Sequence, residues 1–225
     1  MNVKLISHSR TPIGPEPETN VQNLIAYCAR VSNPSNQMNK ETSEKLIRYL
    51  IKHGHWSPLE MVHACLEIQT TRDIAHQIVR HRSFAFQEFS QRYANPEAQG
   101  DMFTYSEARL QDTKNRQNSI EIEDESLQKE WDRMQSRIAV RAKKEYDAAI
   151  NLGIAKEQAR KILPEGITKT TLYMSGSLRS WVHYIELRSG HGTQIELMEV
   201  ARACAIVLEP IFPLIKEFVN ERFCF

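Results

Sequence analysis

No glycine-rich cradle for phosphate is written in this sequence. GxxxxGK and GxGxxG are both missing, and the only closely spaced glycines are Gly190 and Gly192. Any nucleotide bound here must be held in some other way than on a glycine turn at a helix N-terminus. HExxH and GxSxG are absent too, which removes the zincin and α/β-hydrolase signatures. Cysteine is scarce: Cys28, Cys65, Cys204 and Cys224 form no CxxC pair and match no zinc module. The N-terminal stretch MNVKLISHSRTP has no apolar core of a signal peptide, and no apolar run approaches membrane-spanning length. These absences lead to the expectation of a cytoplasmic protein with reduced thiols and no membrane partner. Charge of one sign is also lacking, with 29 Lys and Arg against 28 Asp and Glu. That balance gives no general pull toward nucleic acid, so anion recognition has to come from local clustering of arginine.

What is present is an ordinary globular composition, 41% hydrophobic and 25% charged, over 225 residues. Such a chain can bury a real core, and one domain spanning residues 1–225 is expected. TSEKLIRYLIKHG reads as a helix with Leu46, Ile47, Leu50 and Ile51 on one stripe and Gly54 as its C-terminal cap. EMVHACLEIQT, 60–70, has strand character, and TRDIAHQIVRHR begins a short helix. The polar stretch 111–126 reads as an exposed loop or as a lid using Arg109, Lys114 and Arg116. Residues 127–152 form the longest helix, with Leu127, Trp131, Met134, Ile138, Ala142 and Ala149 at helical spacing. AKEQARKIL, SGSLRSWVHYIELRS and TQIELMEVARACAIVLEP add three more helices. With strands early and helices late, the expected class is α+β (α/β) rather than a doubly wound sheet.

The stretch RHRSFAFQEFSQRY, 80–93, mixes Arg80, His81, Arg82 and Arg92 with three phenylalanines, a glutamate and two serines. A core does not accept so much charge, and a solvated loop does not want Phe84, Phe86 and Phe89. The mixture fits a pocket wall, with apolar backing and a few aimed polar groups. Taken as a strand, 84–92 puts Glu88, Ser90 and Arg92 on one face at steps of about 7 Å, a row suited to a polar ligand with an anionic group. Arg80 and Arg82 point the same way only if that segment is extended. Surface ion pairs, Arg82 with Glu88 or Arg92 with Glu97, are the structural alternative.

Arg80-His81-Arg82, seven intervening residues, then Ser90-Gln91-Arg92 resembles the signature of the flavin-dependent thymidylate synthases. Glu88 and Tyr93 match the fuller pattern, while Ala85 and Gln87 stand where many members carry serine and asparagine. The resemblance extends through CARVS at Cys28–Ser32, GHWSPLE at 54–60, EQARKILP at 157–164 and SLRSWVHYIELRSGHGTQIE at 177–196. Ser177 and His183 take positions where many members have asparagine.

The resemblance implies a central twisted sheet flanked by helices, a homotetramer with shared active sites, and methylation of dUMP to dTMP. The implied cofactor is FAD, with 5,10-methylenetetrahydrofolate as carbon donor and NADPH or NADH as reductant. Carried over position by position, Ser57, Arg80, His81, Arg82, Glu88, Ser177, Arg179 and His183 would contact FAD. Gln77, Arg80, Glu88, Ser90, Gln91, Arg92, Arg160 and Arg188 would hold dUMP, and His55 would lie near the folate. Arg188 would be catalytic, stabilising a uracil that loses its N3 proton. Ser90 is assigned to positioning, because a serine needs an adjacent base to become a nucleophile.

Helical register adds an independent constraint. Arg179 and His183 are four apart and share a face, whereas Arg188 lies about 180° from Arg179 on an ideal helix. Either the helix stops before Arg188 or its two faces serve different sites. Two rival readings rest on other features. Five of the eight histidines (His53, His55, His63, His76 and His81) could serve a metal hydrolase, although no carboxylate–histidine pattern completes a site and the expected metal is none. Arginines interleaved with aromatics could grip RNA, but the neutral balance of charge argues against a nucleic-acid partner.

Overall fold

The computed structural model describes residues 1–10, 20–190 and 192–220. In chain order its elements are β1 (Asn2–His8), α1 (Val21–Ala29), α2 (Ser43–Lys52), β2 (His63–Thr71), α3 (Arg72–Ile78) and β3 (Ala85–Glu88). They continue with β4 (Arg109–Gln111), β5 (Ser119–Glu121), α4 (Glu125–Asn151), α5 (Lys156–Ala159), β6 (Lys169–Ser177), α6 (Leu178–Arg188) and α7 (Ile195–Leu208). Four strands form a sheet in the order β1-β2-β6-β3, and every neighbouring pair is antiparallel. The antiparallel pairing settles the class as α+β.

The sheet has one apolar face. Along β2, Ala64, Leu66 and Ile68 are buried, while His63, Cys65, Glu67 and Gln69 alternate with them on the more open side. Thr170, Leu172, Met174 and Gly176 do the same on β6. Ile74 and Ile78 of α3, Trp181 and Ile185 of α6, and Leu197, Val200 and Leu208 of α7 pack with these strands into one buried cluster. A sheet covered on one side and polar on the other produces this alternation.

Four sequence readings need correction. The central strand β6 lies in the second half of the chain, not the first, and it claims Ser175–Ser177 from the helix read over SGSLRSWVHYIELRS. The helix starts at Leu178 because the Ser177 hydroxyl accepts from the Ser180 amide, an N-cap. The strand read over 84–92 stops at Glu88, and Tyr93 and Ala94 both donate their amides to the Ser90 carbonyl in a turn. The extended pairing of Ser90 and Arg92 with Glu88 therefore fails. Residues 80–84 are successive turns, with His81 N bonded to Ile78 O and Phe84 N to His81 O, so Arg80 and Arg82 are not aligned by an extended chain. Finally, 109–121 is a hairpin of β4 and β5 rather than a loop, its turn fastened by Asp112, which accepts from Lys114 N and Asn115 N.

Helix α4 is as long as the periodicity predicts, but its N-terminal apolar stripe faces outward. Leu127, Trp131, Met134 and Ile138 are all exposed, whereas Gln135, Ala139, Ala142, Tyr146 and Ala149 are buried.

One glycine is fixed by close packing. A Cβ built on Gly176 would stand 2.4 Å from Phe84 Cδ1, and the Phe84 ring is itself edge-on to Trp181 at 4.8 Å between centroids. Gly176→Ala must push Phe84 off this contact. It is expected to destabilise the fold by about 1–3 kcal/mol, read as a lower urea midpoint at unchanged slope; an unchanged midpoint would show that Phe84 is not held there.

Candidate active site

The antiparallel register of β3 on β6 sets Ala85 beside Ser175 and brings the signature segment against the start of α6. A cleft of about 610 Å³ opens at this junction. Ser83 and Ala85 of the signature segment line it together with Ser177, Arg179, Ser180 and His183, and Glu60 and His63 are also in its lining. Three residues expected to contact the cofactor (Ser177, Arg179 and His183) thus share one cavity, and Arg179 and His183 do lie on one face of α6.

Glu60 organises this cleft, and the sequence reading gave it no role. Its Oε1 accepts from Arg179 Nη1 at 2.7 Å, and its Oε2 accepts from the Ser177 hydroxyl at 2.7 Å. The Arg179 bond, then the Ser177 bond, holds the Glu60 carboxyl below the usual carboxylate range. Ser180 extends the chain of hydroxyls by donating to Ser83 O at 3.2 Å. Trp56 was missed as well: its ring lies 4.5 Å from that of His183. The signal for both was GHWSPLE, which ends in a 3-10 turn, Ser57–Met61, that carries Glu60 to the cleft. Ser57 and His55 are exposed near that turn.

Helix α6 runs unbroken to Arg188, so the option that it ends earlier is closed. On its far side, Arg188 Nε donates to His81 Nε2 at 2.8 Å. Arginine has no acceptor, so this nitrogen carries a lone pair and the proton sits on Nδ1. Burial, then the neighbouring Arg188 charge, pushes the His81 pKa down to about 4. Tyr184 packs edge-on against the His81 ring at 4.9 Å. The remaining N–H groups of Arg188 donate to no acceptor among the described residues.

The other expected site residues stand apart from these two groups. Glu88 Oε1 accepts from Arg72 Nη1 at 3.1 Å and from Thr170 Oγ1 at 2.8 Å. Gln77 Nε2 donates to Gln194 Oε1 at 2.7 Å. Arg92 pairs with Glu157 at 3.4 Å, not with Glu97, and Arg82 makes no ion pair with Glu88. Arg80 and Arg82 are exposed, and neither they nor Arg160 forms an ion pair among the described residues. Ser90 is exposed. Gln91 is buried, and its Nε2 finds no acceptor among the described residues.

The histidines do not assemble. His53 packs on Tyr49, His76 pairs with Glu165, and His81 is taken by Arg188. Among the described residues no group of three or more His, Cys, Asp or Glu side chains could hold a metal ion. Burial raises the pKa of the Cys28, Cys65 and Cys204 thiols. Cys224 and His191 lie outside the described residues. Arg109 of the segment read as a loop or lid is ion-paired with Glu196.

Comparison with known proteins is consistent across three routes. A family model described as thymidylate synthase complementing protein matches residues 16–214. A protein of Paramecium bursaria Chlorella virus 1, named probable flavin-dependent thymidylate synthase, is 46% identical over 220 residues, 98% of this chain and 99% of its own. The flavin-dependent thymidylate synthase of Synechocystis is also 46% identical, over 216 residues, 96% of this chain and 97% of its own. The crystal structure of the UMP/dUMP methylase PolB from Streptomyces cacaoi superposes with a TM-score of 0.80 at 23% identity, covering 96% of this chain and 93% of that one. The last likeness concerns the fold.

The His81–Arg188 bond predicts a pH dependence. The folded pKa of about 4 lies below the ordinary histidine value, about 6.5. Above about pH 6.5 His81 is neutral in both states and the bond contributes fully; as pH falls from there toward 4, the unfolded chain takes the proton first and stability is lost. Urea unfolding of wild type and His81→Gln at pH 7 and pH 4.5 should show the larger loss in wild type, since glutamine keeps an acceptor but does not titrate. Equal losses would contradict a neutral, Arg188-bound His81.

Proposed function

The chain belongs to the flavin-dependent thymidylate synthase family, and from that premise we propose that it methylates dUMP to dTMP. The carbon comes from 5,10-methylenetetrahydrofolate, which leaves as tetrahydrofolate. The reducing equivalents come from NADPH through FAD, so that dUMP, the folate, NADPH and a proton yield dTMP, tetrahydrofolate and NADP. One observation carries this reading above the others: β6 brings Ser83 and Ala85 of the signature into the same cleft as Ser177, Arg179 and His183 of the late segment.

The residues present fit a flavin nucleotide. The cleft combines hydroxyl oxygens (Ser177 and Ser180), whose protons go to Glu60 and Ser83 O, with a guanidinium (Arg179) and the His183 ring, which is backed by Trp56. Arg80 and Arg82, exposed and without ion pairs among the described residues, are available to diphosphate oxygens, which a permanently charged fork binds well. When bound, the flavin would supply the two-electron reduction that turns a methylene on the uracil into a methyl group.

The chain's own residues bind, orient and stabilise charge. Gln91, whose side-chain amide is buried without an acceptor among the described residues, is assigned to the dUMP site by its place in the signature. Gln77, Arg80, Glu88, Ser90, Arg92 and Arg160 would complete the dUMP site, and His55 the folate side. Arg188, steered by His81 through Nε, keeps its terminal N–H groups for the uracil edge, where they would favour loss of the N3 proton. No thiolate is required. Burial works against ionisation of Cys28, Cys65 and Cys204 alike, which suits a route without a cysteine nucleophile.

The dUMP set is scattered over one chain. Glu88 is held by Arg72, Gln77 by Gln194 and Arg92 by Glu157, each away from the Arg179 cleft lining. This scatter supports a homotetramer whose sites combine residues from several copies of one domain. The outward stripe of Leu127, Trp131, Met134 and Ile138 supports the same assembly by supplying apolar surface to bury.

Variants of Arg188 test the reading. Arg188→Ala should bind FAD with wild-type affinity and keep its oligomeric state. Loss of a charge-assisted hydrogen bond costs about 1.5–3 kcal/mol, or roughly 10- to 150-fold, and it should appear in turnover as well as in dUMP binding. Lysine should restore only part, because it keeps the charge without the planar fork. Wild-type turnover in Arg188→Ala would remove Arg188 from catalysis, and wild-type protein that fails to bind FAD would overturn the function itself.

A further inference from the structure

Glu88 is the one carboxylate inside the signature segment, and its two oxygens are not equivalent. Oε1 accepts twice, from Arg72 Nη1 at 3.1 Å and from Thr170 Oγ1 at 2.8 Å. Oε2 accepts no hydrogen bond from the described residues. The pair is half-buried, with side-chain exposures of 18% for Arg72 and 22% for Glu88. Thr170 is 1% exposed. Two donors on one oxygen fix the carboxylate's rotation, and they leave the second oxygen without a donor among the described residues. A lone edge-strand glutamate would not hold such an orientation, since its side chain has several rotatable bonds.

The backbone explains why the donors are in place. Glu88 is the last residue of β3, opposite Leu172 on β6, and Thr170 lies two residues further along β6 on the same face. Arg72 opens α3, and its amide donates at 3.0 Å to the carbonyl of Thr168, the residue just before β6, so the helix start is tied to the entry of the same central strand. Carboxylate, hydroxyl and guanidinium are therefore referred to one rigid element, β6. Sites built this way hold geometry better than sites carried on free loops.

We propose that Arg72, with Thr170, is a positioning residue for substrate recognition: it holds Glu88 so that Oε2 accepts a hydrogen bond from an N–H or O–H group of the pyrimidine nucleotide. Arg72 does not touch the nucleotide itself. The inference rests on the dTMP-forming reading above and assigns a role to a residue outside the signature.

The test is steady-state dTMP formation at saturating FAD, folate and NADPH with dUMP varied. It compares wild type, Arg72→Ala, Thr170→Val, Glu88→Gln and the double variant Arg72→Ala with Glu88→Gln. Arg72→Ala should raise KM for dUMP about tenfold or more. In the Glu88→Gln background the same change should add less than about threefold, because the two residues act through one contact. Thr170→Val, which keeps shape and removes one donor, should raise KM in the same direction; if Arg72→Ala does not fold, this variant decides alone. An ion pair that merely fastens β3 to α3 would lower the melting temperature and leave KM for dUMP unchanged, and that result overturns the proposal. So does an equal, additive effect of Arg72→Ala in both backgrounds. Wild-type protein that makes no dTMP would instead defeat the functional reading, and this inference with it.

Discussion

Strand β6 is the element on which the rest of the structure depends. It is hydrogen-bonded on both sides, to β2 along its whole length and to β3 over four residues. Its inward face helps to form the main core, and its last residue caps α6. The start of α3 is bonded to the residue before it. Several polar groups of the candidate site take their position from this strand directly or at one remove. Ser177 is on it, Arg179 and Arg188 follow from the helix it caps, and Glu88 is set by the register of β3 against it. The core and the chemistry are therefore not separable here: a shift of one residue in the β3–β6 register would turn Glu88 to the opposite face of the sheet.

The site manages charge by pairing some arginines and leaving others open. Arg179 is matched by Glu60, and Arg72 by Glu88, in half-exposed or half-buried settings where geometry contributes more than raw Coulomb energy. Arg188 has a neutral partner instead, which keeps its full positive charge available to a ligand. Arg80 and Arg82 make no ion pair among the described residues. In a protein with almost no net charge, the proposed function gives this local excess of unmatched guanidinium the task that a glycine cradle would otherwise perform.

Much of this was legible in the residues, and what was not has identifiable causes. The spacing from Arg80 to Arg92 points to the family because so many chemistry-bearing side chains recur at fixed positions. Helices α2, α4 and α7 follow from apolar periodicity. Strand β6 was not legible: Thr170 and Gly176 are buried while Tyr173 is exposed, so its inside–outside alternation is not an alternation of hydrophobicity. The strand read over 84–92 was too long because the turn after Glu88 contains neither glycine nor proline before Pro96. Periodicity showed that residues 127–138 are helical, but it could not say which face is covered. The contacts of Glu60 with Ser177 and Arg179, and of Arg72 with Glu88, join residues far apart in sequence, and no local pattern encodes them.

The proposed chemistry makes thymidylate with a flavin and without a thiol nucleophile. It is tested most directly by incubating purified protein with dUMP, FAD, NADPH and methylenetetrahydrofolate labelled with ¹³C at the methylene carbon, then weighing the nucleotide product. The account predicts dTMP that carries the label in its methyl group and is formed only when flavin is present. Unchanged dUMP in the presence of bound flavin, or labelled dTMP formed at the same rate by flavin-free protein, would contradict it.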